Sequence, residues 1–402
     1  MNISIQSKTR LFGALLILTA SFFAVVGVSN ISEAFNKQNY HRMVCTSQST
    51  LSASCLARIK TDRTGTPAVT TLPKGYGPAQ FHTAYNIPMT SETPATIAVV
   101  AAYDHKNIKS DLDIYNKTFG LPVFPSCSVT ITTACFTKVN QRGGTTYPKA
   151  DPGWALEIAM DVEVAHQACP NCKLILVEAD SASYTNLMTA VDRARIMGAT
   201  VISNSYGSSE FAGETAYDSH FNVPGVAFIF SSGDSGYGTS YPAASPYVTA
   251  VGGTTLNLAS DNTRLSETVW SGAGSGCSLY EKKPAFQTDS GCANRTIADV
   301  SAVADPATGA AVYSSIRYSG KTGWFVVGGT SLSAPLIAGI YGSAGNVTSA
   351  QPANSMPYTA TSGLYDVVAG ANGTCSVAYL CTGLTGFDGP TGLGAPNGIS
   401  AF

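Results

Sequence analysis

The feature that most constrains the fold is an alternation of apolar runs and helical patterns between residues 96 and 231. Residues 96–102 (TIAVVAA) are continuously apolar, as expected for a strand buried on both faces. Three helical patterns follow in the sequence, at 107–119, 154–168 and 184–197. Three further strand-like runs lie among and after them, at 173–178, 199–203 and 225–231. Strands and helices that alternate at this length form βαβ units. The sequence therefore predicts an α/β fold with a doubly wound, mostly parallel sheet and helices on both faces.

The composition of the chain excludes some classes of protein. Only 12% of the 402 residues are charged and 44% are hydrophobic, whereas disordered chains combine low hydrophobicity with high net charge. The formal net charge of −2 provides no field that would attract phosphates, and no run of Lys and Arg is present. We therefore expect a folded protein that does not bind nucleic acid.

The N-terminal 34 residues have the pattern of a signal peptide. Lys8 and Arg10 precede the apolar stretch 11–28, and Ser32-Glu33-Ala34 provides a small-x-small cleavage site. The alternative is an uncleaved membrane anchor, since 18 apolar residues are at the lower limit for spanning a bilayer. No other stretch is apolar enough to span, so we expect a secreted, extracellular protein with no membrane contact after signal removal.

The region after the signal peptide changes character near Gly75. Residues 35–74 are polar and rich in turn residues, which indicates a short prosegment or N-terminal arm. Regular patterning begins at about residue 75 and continues to the C-terminus. The predicted division is thus 1–34, 35–74 and a single domain over 75–402.

The ten cysteines fall into five pairs of sequence neighbours. Five local disulfides are the simplest interpretation, and they agree with export. The CPNC motif could instead be a redox pair or half of a zinc site, but no second CxxC accompanies it. The predicted pairs are Cys45/Cys55, Cys127/Cys135, Cys169/Cys172, Cys277/Cys292 and Cys375/Cys381.

The helical segment from residue 154 carries two carboxyl groups within an apolar sequence. Glu157 and Asp161 are four residues apart and so share one helix face. One interpretation is a solvated acidic stripe that continues to Glu163. The other is a buried pair whose shared proton separates the two pKa values, which suits acid–base chemistry at acidic pH.

A second candidate site lies in the sequence GGTSLSAP near residue 330. Gly328 and Gly329 permit a tight strand-to-helix turn, and Pro335 is expected in the first helical turn. Ser331 would then lie at a helix N-terminus, where free N–H groups favour a nucleophile and a developing oxyanion. The alternative is an ordinary helix cap.

A third candidate is Asp234, in the turn SSGDSG that follows the strand-like run 225–231. The carboxyl ends of strands are where open α/β sheets place their sites, although Asp and Gly could serve only the turn. Together the three segments, in this order, resemble the sedolisin family of serine-carboxyl peptidases. Supporting segments that also resemble this family are 203–207, 241–253, 267–270 and 391–397.

The resemblance implies a subtilisin-like fold with a Ser-Glu-Asp triad. Ser331 would attack the scissile carbonyl, Glu157 would accept its proton, and Asp161 would orient Glu157. Protonated Asp234 would donate a hydrogen bond to the oxyanion beside the Ser331 N–H, and 205–207 would line the substrate cleft. The implied function is a secreted, monomeric endopeptidase that hydrolyses polypeptides at acidic pH.

The resemblance also implies one structural calcium ion near the C-terminus. The matching ligands are the carboxylates of Asp366 and Asp388 and the carbonyls of Val367 and Gly386. Oxygen-only ligation of this kind suits Ca²⁺. The alternative is a pair of ordinary loop aspartates.

The sequence departs from the family pattern in three places. Only about 40 residues separate the signal peptide from the domain, where relatives have a large prosegment. Ala101 stands where many relatives have another acid on the first strand, and Leu384 stands where a glycine often supplies a calcium-binding carbonyl.

Other catalytic classes fit the sequence less well. No HGTH-like segment supports a histidine triad, and a chymotrypsin-type Ser235 requires an all-β fold. The alternative from a different functional class is a catalytically inactive secreted binding or adhesion protein on a peptidase fold. Such a protein would be expected to lack at least one of the four catalytic candidates, and all four are present.

Overall fold

The computed structural model describes residues 40–46 and 52–402, and residues Tyr40–Phe402 belong to one compact unit. The predicted signal peptide, 1–34, lies outside the described residues. The helices of the described chain are α1 (Pro78–Tyr85), α2 (Ile108–Phe119), α3 (Pro152–Ala168), α4 (Tyr184–Ile196), α5 (Thr330–Ala344) and α6 (Met356–Thr359).

The strands of the described residues are mostly short, apart from those of the central sheet and one long hairpin. In chain order they are β1 (His41–Met43), β2 (Ser54–Cys55), β3 (Arg58–Lys60), β4 (Thr96–Ala102), β5 (Phe136–Asn140), β6 (Lys173–Ala179), β7 (Val201–Asn204), β8 (Tyr206–Ser209), β9 (Ala227–Ser231), β10 (Ser240–Tyr241), β11 (Thr249–Leu258), β12 (Arg264–Val269), β13 (Gly276–Cys277), β14 (Thr296–Ile297), β15 (Val300–Val303), β16 (Ala310–Tyr318), β17 (Lys321–Gly328), β18 (Leu364–Tyr365) and β19 (Ala395–Pro396).

The central sheet has eight strands in the order β12-β11-β9-β7-β4-β6-β5, with β15 also paired to β11. All neighbouring pairs are parallel except β11 with β12. The winding reverses at β4, which pairs with β6 on one side and β7 on the other. Helices α3 and α5 pack against each other over this sheet, and α4 packs on β4, β6 and β7. The predicted doubly wound, mostly parallel α/β fold is confirmed.

Helices α3 and α5 are buried along their lengths, because both are apolar nearly all round. The two helices approach closely at Gly339, where an added Cβ would lie 2.4 Å from the Cβ of Ala168. The position predicted for Pro335 is wrong: α5 begins at Thr330, so Pro335 lies in the second turn. Because proline lacks an N–H, the carbonyl of Ser331 loses its helical partner, and the hydroxyl of Ser205 donates to it at 3.4 Å.

The described part of the predicted prosegment, residues 40–46 and 52–74, packs within the same unit as the rest of the chain. Strands β1 and β3 extend the hairpin of β16 and β17 into a four-stranded antiparallel sheet. Strand β2 forms a small sheet with β8 and β10. Ile59 of β3 is fully buried, so the segment contributes to the core. The division into a short prosegment or N-terminal arm over 35–74 and a domain over 75–402 stays a prediction.

All five predicted disulfides are confirmed: Cys45–Cys55, Cys127–Cys135, Cys169–Cys172, Cys277–Cys292 and Cys375–Cys381. The described residues contain no free cysteine. Within residues 40–46 and 52–402, no helix has the length and apolar character needed to cross a membrane.

Candidate active site

Helix α3 places two carboxyl groups side by side in the protein interior. The helix begins after Asp151, whose carboxylate accepts hydrogen bonds from the N–H groups of Gly153 and Trp154 at 2.9 and 3.0 Å. Glu157 and Asp161 follow at helical spacing and are 0% and 1% exposed. This burial rules out a solvated acidic stripe.

Burial raises the pKa of both Glu157 and Asp161 well above the ordinary range, and the charge of Asp161 raises that of Glu157 further. Among the described residues, no hydrogen bond of standard geometry reaches their carboxyl oxygens. The hydroxyls of Ser331 and Ser205 nevertheless lie close enough to lower the pKa values of Glu157 and Asp161, respectively. At least one proton is therefore held by this pair in mildly acidic solution.

Ser331 occupies the first turn of α5, facing the carboxyl pair. Its hydroxyl donates to the carbonyl of Ser205 at 3.1 Å, and its own N–H donates to the carbonyl of Leu56 at 3.2 Å. The helix is preceded by Gly329 at φ +94°, a conformation that favours glycine. The sharp turn from β17 into α5 thus places both the hydroxyl and the amide of Ser331 at the start of the helix, close to Glu157.

Asp234 lies just beyond the carboxyl end of β9 and is buried. Its Oδ1 accepts hydrogen bonds from the N–H and hydroxyl of Thr330 at 2.8 and 2.9 Å, while Oδ2 has no hydrogen-bond partner among the described residues. Burial raises the pKa of Asp234 to about 7, against the lowering effects of Thr330 and of Arg58. Asp234 is therefore protonated in acid, and its Oδ2, which lies 3.6 Å from Nε of Arg58, can carry the proton.

The four predicted site residues converge at the carboxyl edge of the central sheet. The charges of Asp161 and Asp234 both raise the pKa of Glu157, and the nearby hydroxyl of Ser331 lowers it. The predicted cleft lining is also adjacent, since Ser205 contacts Ser331 through two hydrogen bonds.

Two residues at this site carry no signal in the sequence. The carbonyl of Leu56 accepts the hydrogen bond of Ser331, and Nη2 of Arg58 donates to the carbonyl of Asp234 at 2.5 Å. Both lie in the polar, turn-rich segment before residue 75, which matches no motif. The Arg58–Asp234 contact spans 176 positions in the sequence, so only the folded chain shows it.

A third acid of α3, Glu163, is separate from this cluster. Its Oε2 accepts a hydrogen bond from the N–H of Tyr313 at 3.0 Å, and burial raises its pKa well above the usual range. His166, on the same helix, is buried against Phe124, and burial lowers its pKa to about 3. Neither side chain is a partner of Ser331.

The predicted calcium ligands lie together in the C-terminal loops. Oδ2 of Asp366 accepts a hydrogen bond from the N–H of Gly386 at 2.9 Å, whereas its Oδ1 is buried without a partner. Burial and the charge of Asp366 raise the pKa of Asp388. Val367 is fully buried beside them. No cluster of three or more His, Cys, Asp or Glu side chains occurs in the described part of the chain, so carbonyl oxygens would have to complete a site.

Comparison with known proteins identifies relatives of one kind. The Subtilase family of peptidases matches residues 153–362. Kumamolisin from Bacillus sp. (strain MN-32) is 28% identical over 81% of this chain and 63% of its own length, and sedolisin from Pseudomonas sp. (strain 101) is 29% identical over 80% and 60%. The chain thus spans about three fifths of the length of these curated relatives.

Solved structures agree with the sequence relatives. Pseudomonas sedolisin, a serine-carboxyl proteinase solved with two molecules of pseudo-iodotyrostatin, has a TM-score of 0.67 and 26% identity over 81% of this chain and 96% of that chain. The S41 psychrophilic protease, with a TM-score of 0.51 and 18% identity over 81% of this chain and 99% of that chain, shares the fold. The fold is therefore subtilisin-like, and the chain belongs to the subtilase family, among the sedolisins.

Proposed function

We propose that this protein is a secreted serine-carboxyl endopeptidase that hydrolyses polypeptides in acid through Ser331, Glu157 and Asp161, with Asp234 in the oxyanion hole. The observation that carries the proposal is the convergence of a helix-terminal serine on a buried, hydrogen-bond-poor carboxyl pair. Burial destabilises the ionised form of a carboxyl group. When such a carboxylate lies beside a hydroxyl, it can accept the proton of that hydroxyl. Kinship with the sedolisins supports the same reaction.

In the proposed reaction, the hydroxyl of Ser331 turns from Ser205 towards Glu157. The hydroxyl oxygen attacks the substrate carbonyl while Glu157 takes the proton, and Asp161 keeps Glu157 oriented and shares the resulting proton. Glu157 then passes the proton to the leaving amine, and water hydrolyses the ester by the same steps. The carboxyl pair acts as the general base and acid, the role that histidine has in other serine peptidases, at a pH where histidine would already be protonated.

The proposed oxyanion hole combines the N–H of Ser331 with the carboxyl of Asp234. Thr330 fixes one oxygen of Asp234, so the proton resides on the other oxygen and can be donated to the developing negative charge. This donor exists only while Asp234 is protonated. Rising pH therefore disables the site through Asp234 even if Glu157 is a competent base.

The pH dependence of hydrolysis tests this assignment. We expect cleavage of an unfolded protein substrate between pH 3 and pH 8 to be fastest in acid and to fall as pH rises through about 7, where Asp234 loses its proton. The Ser331→Ala variant, measured alongside, should be inactive throughout. A rate that instead rises through about pH 6.5, as a histidine base produces, would contradict the carboxyl mechanism.

Export is part of the proposal. The five disulfides require an oxidising compartment to form and persist, which supports an extracellular location. The expected signal cleavage after Ala34 would be seen as a new N-terminus at Phe35 in protein secreted by an exporting host.

We also propose that the C-terminal loops hold one structural Ca²⁺. The residues present fit such an ion, because Asp366 has a buried carboxyl oxygen without a partner and the negative charges of Asp366 and Asp388 repel each other. The carboxylates of both residues and the carbonyls of Val367 and Gly386 would supply its ligands. A bound cation would relieve this repulsion and hold the loops together. Its role would be structural, and it would take no part in the reaction.

Thermal unfolding with and without calcium tests the ion site. Calcium at about 100 times its dissociation constant stabilises a protein by about 2.7 kcal/mol, so millimolar CaCl₂ should raise Tm and a chelator should lower it. Asp388→Asn should remove this calcium-dependent shift. Asp261→Asn, in an exposed loop, should retain it. Equal shifts in the two variants, or none in the wild type, would refute the site.

A further inference from the structure

Four acidic side chains lie together behind one wall of the cleft. Glu210 directly follows β8, and the next two belong to a 3₁₀-helix, Glu214–His220. The fourth lies in the loop after β13. The acid cluster consists of Glu210, Glu214, Asp218 and Glu281. Glu214 is 0% and Glu281 2% exposed, so both are withdrawn from water, and the proposed reaction uses none of the four.

The acid cluster contains two contacts between carboxyl groups. The carboxyl of Glu281 lies within hydrogen-bonding range of that of Asp218. The carboxyl of Glu214 lies within the same range of that of Glu210. One buried oxygen of Glu214 and one of Glu281 have no hydrogen-bond donor among the described residues. Since two ionised carboxylates have no proton to donate, each contact is a hydrogen bond only while the pair holds a proton.

The surroundings supply donors to these carboxyls but no cation. Burial, hydroxyl groups, a backbone N–H and neighbouring carboxyls shift the pKa values of Glu214, Asp218 and Glu281, and no basic side chain of the described chain is among the groups that do so. Tyr184 and Tyr241 face the cluster, and burial together with its charges raises their pKa, so both stay protonated. The basic residues on neighbouring segments are engaged elsewhere or exposed: Arg195 and His220 contact Asp192, Lys283 contacts Asp289, Arg295 contacts Asp299, and Lys282 is exposed.

The folded cluster binds protons more tightly than the unfolded chain does. Burial, with a smaller contribution from neighbouring carboxyls, raises the pKa of Glu214 to about 9 and that of Glu281 to about 8. Burial also raises the pKa of Asp218. Because the ordinary pKa of a glutamate is about 4, the favourable contribution of these protons is complete below about pH 4 and is lost as pH rises through about 8 to 9.

The acid cluster is bonded to the back of the cleft wall. The hydroxyl of Thr239 donates to Oε2 of Glu210. The hydroxyl of Tyr241 donates to Oδ1 of Asp218 at 3.2 Å. Between them lies Ser240, and strand β10 pairs with β8. The stretch 239–241 is therefore held from behind by two of the acids.

The front of the same stretch reaches the proposed active site. The hydroxyl of Ser240 donates to the carbonyl of Ser232 at 2.7 Å, in the turn that carries Asp234. Thr239, Ser240 and Asp234 line one cavity of about 270 Å³, together with residues of β8. A shift of this wall would thus change both the shape of the cleft and the support of the turn that carries Asp234.

We propose that the acid cluster is a proton-operated clasp on the cleft. In acid, each carboxyl pair shares a proton and holds residues 239–241 in the shape that receives a polypeptide. As pH rises, the ionised pairs repel each other, the wall opens, and the cleft loses affinity for its substrate. This inference rests on the proposed function and adds a second response to pH, which acts on substrate binding, whereas the ionisation of Asp234 acts on the oxyanion.

Amide hydrogen exchange measures the opening directly. In the wild type, the protection of segments 208–221 and 237–245, corrected for the intrinsic rate at each pH, should fall by about tenfold or more between pH 5 and pH 8. The Glu214→Gln, Glu281→Gln double variant keeps a donor in both contacts at every pH, so its protection should change by less than about threefold. Glu163→Gln, which alters another buried acid with a raised pKa, should follow the wild type. Equal losses in the wild type and the double variant would overturn the clasp.

Steady-state kinetics connect the clasp to the cleft. Between pH 5 and pH 8, the KM of the wild type for an unfolded protein substrate should rise about tenfold more than that of the double variant. The kcat should fall in both, because Asp234 still titrates. Glu281→Gln alone, which restores one of the two contacts, should lie between them. Identical KM profiles would mean that the wall does not control access to the cleft, and they would overturn the proposal.

Hydrogen exchange also separates this proposal from the proposed function, because it needs no turnover. A loss of protection with pH that the double variant prevents, without hydrolysis by any protein that retains Ser331, would support the clasp and overturn the proposed reaction. Hydrolysis with the expected preference for acid, but with exchange that does not change with pH, would overturn the clasp alone.

Discussion

The Ser331→Ala variant should lose peptide hydrolysis by a factor of about 10⁴ or more, because no other group can form the ester intermediate. The fold should survive. The hydroxyl contributes one hydrogen bond, to the carbonyl of Ser205, so its loss costs about 1 kcal/mol. Steady-state kinetics on an unfolded protein substrate, with thermal unfolding of the same samples, measure both effects.

Ser333 offers a matched control for this variant. It lies two residues further along α5, is equally buried, and its hydroxyl donates to the carbonyls of Ala302 and Val303 at 3.0 Å. Ser333→Ala should lower stability by a similar amount and retain most of the activity. Comparable activity in the two variants would remove Ser331 from the reaction.

Neutralising the carboxyl pair should abolish hydrolysis and stabilise the protein at neutral pH. The pKa values of Glu157 and Asp161 are higher in the folded state than in the unfolded chain, so the folded state binds their protons more tightly. Their favourable contribution is complete below the unfolded pKa near 4 and is lost as pH rises through the raised folded values. A Glu157→Gln, Asp161→Asn double variant lacks this loss, which is about 1–3 kcal/mol for an unsatisfied buried polar group and larger for a charged one.

The measurement is the free energy of unfolding of wild type and double variant from pH 4 to pH 8. The difference should be small in acid and grow in favour of the variant as pH rises. Glu163→Gln tests whether stability and activity are separable, because Glu163 is buried on the same helix with a raised pKa but does not contact Ser331. It should reduce the pH dependence of stability while hydrolysis continues. Loss of activity in Glu163→Gln would mean that helix packing, not the carboxyl pair, explains the double variant.

Periodicity and residue type made the central features predictable. The continuous apolar run 96–102 became the central strand, and Asp234 and helix α3 both follow parallel strands of that sheet. Ser331 instead follows β17 of the antiparallel sheet. The disulfides were predictable since each closes a short loop, the longest joining cysteines 15 positions apart. Local pattern therefore predicted the scaffold and the disulfides, whereas the roles of the four site residues were implied by the resemblance to the sedolisins.

Long-range pairing of a polar segment was not predictable. Residues 54–60 have no amphipathic period, and their strand pairing is specified by partners on β8 and β17 that lie far along the chain. The role of Arg58 is seen only from its contact with Asp234 in the folded chain. The position of Pro335 within α5 depended on the residue at which the helix begins, which tertiary packing decides. These features depend on backbone hydrogen bonds and ion pairs, which leave no periodic trace in a single sequence.

The close crossing of α3 and α5 has a consequence for how this sequence can vary. Gly339 permits the two helices to touch at Ala168, and the same two helices carry Glu157 and Ser331. A larger side chain at the crossing would move the carboxyl group away from the hydroxyl before it unfolded the domain. Selection for catalysis would thus preserve small residues in a part of the interior that no substrate reaches.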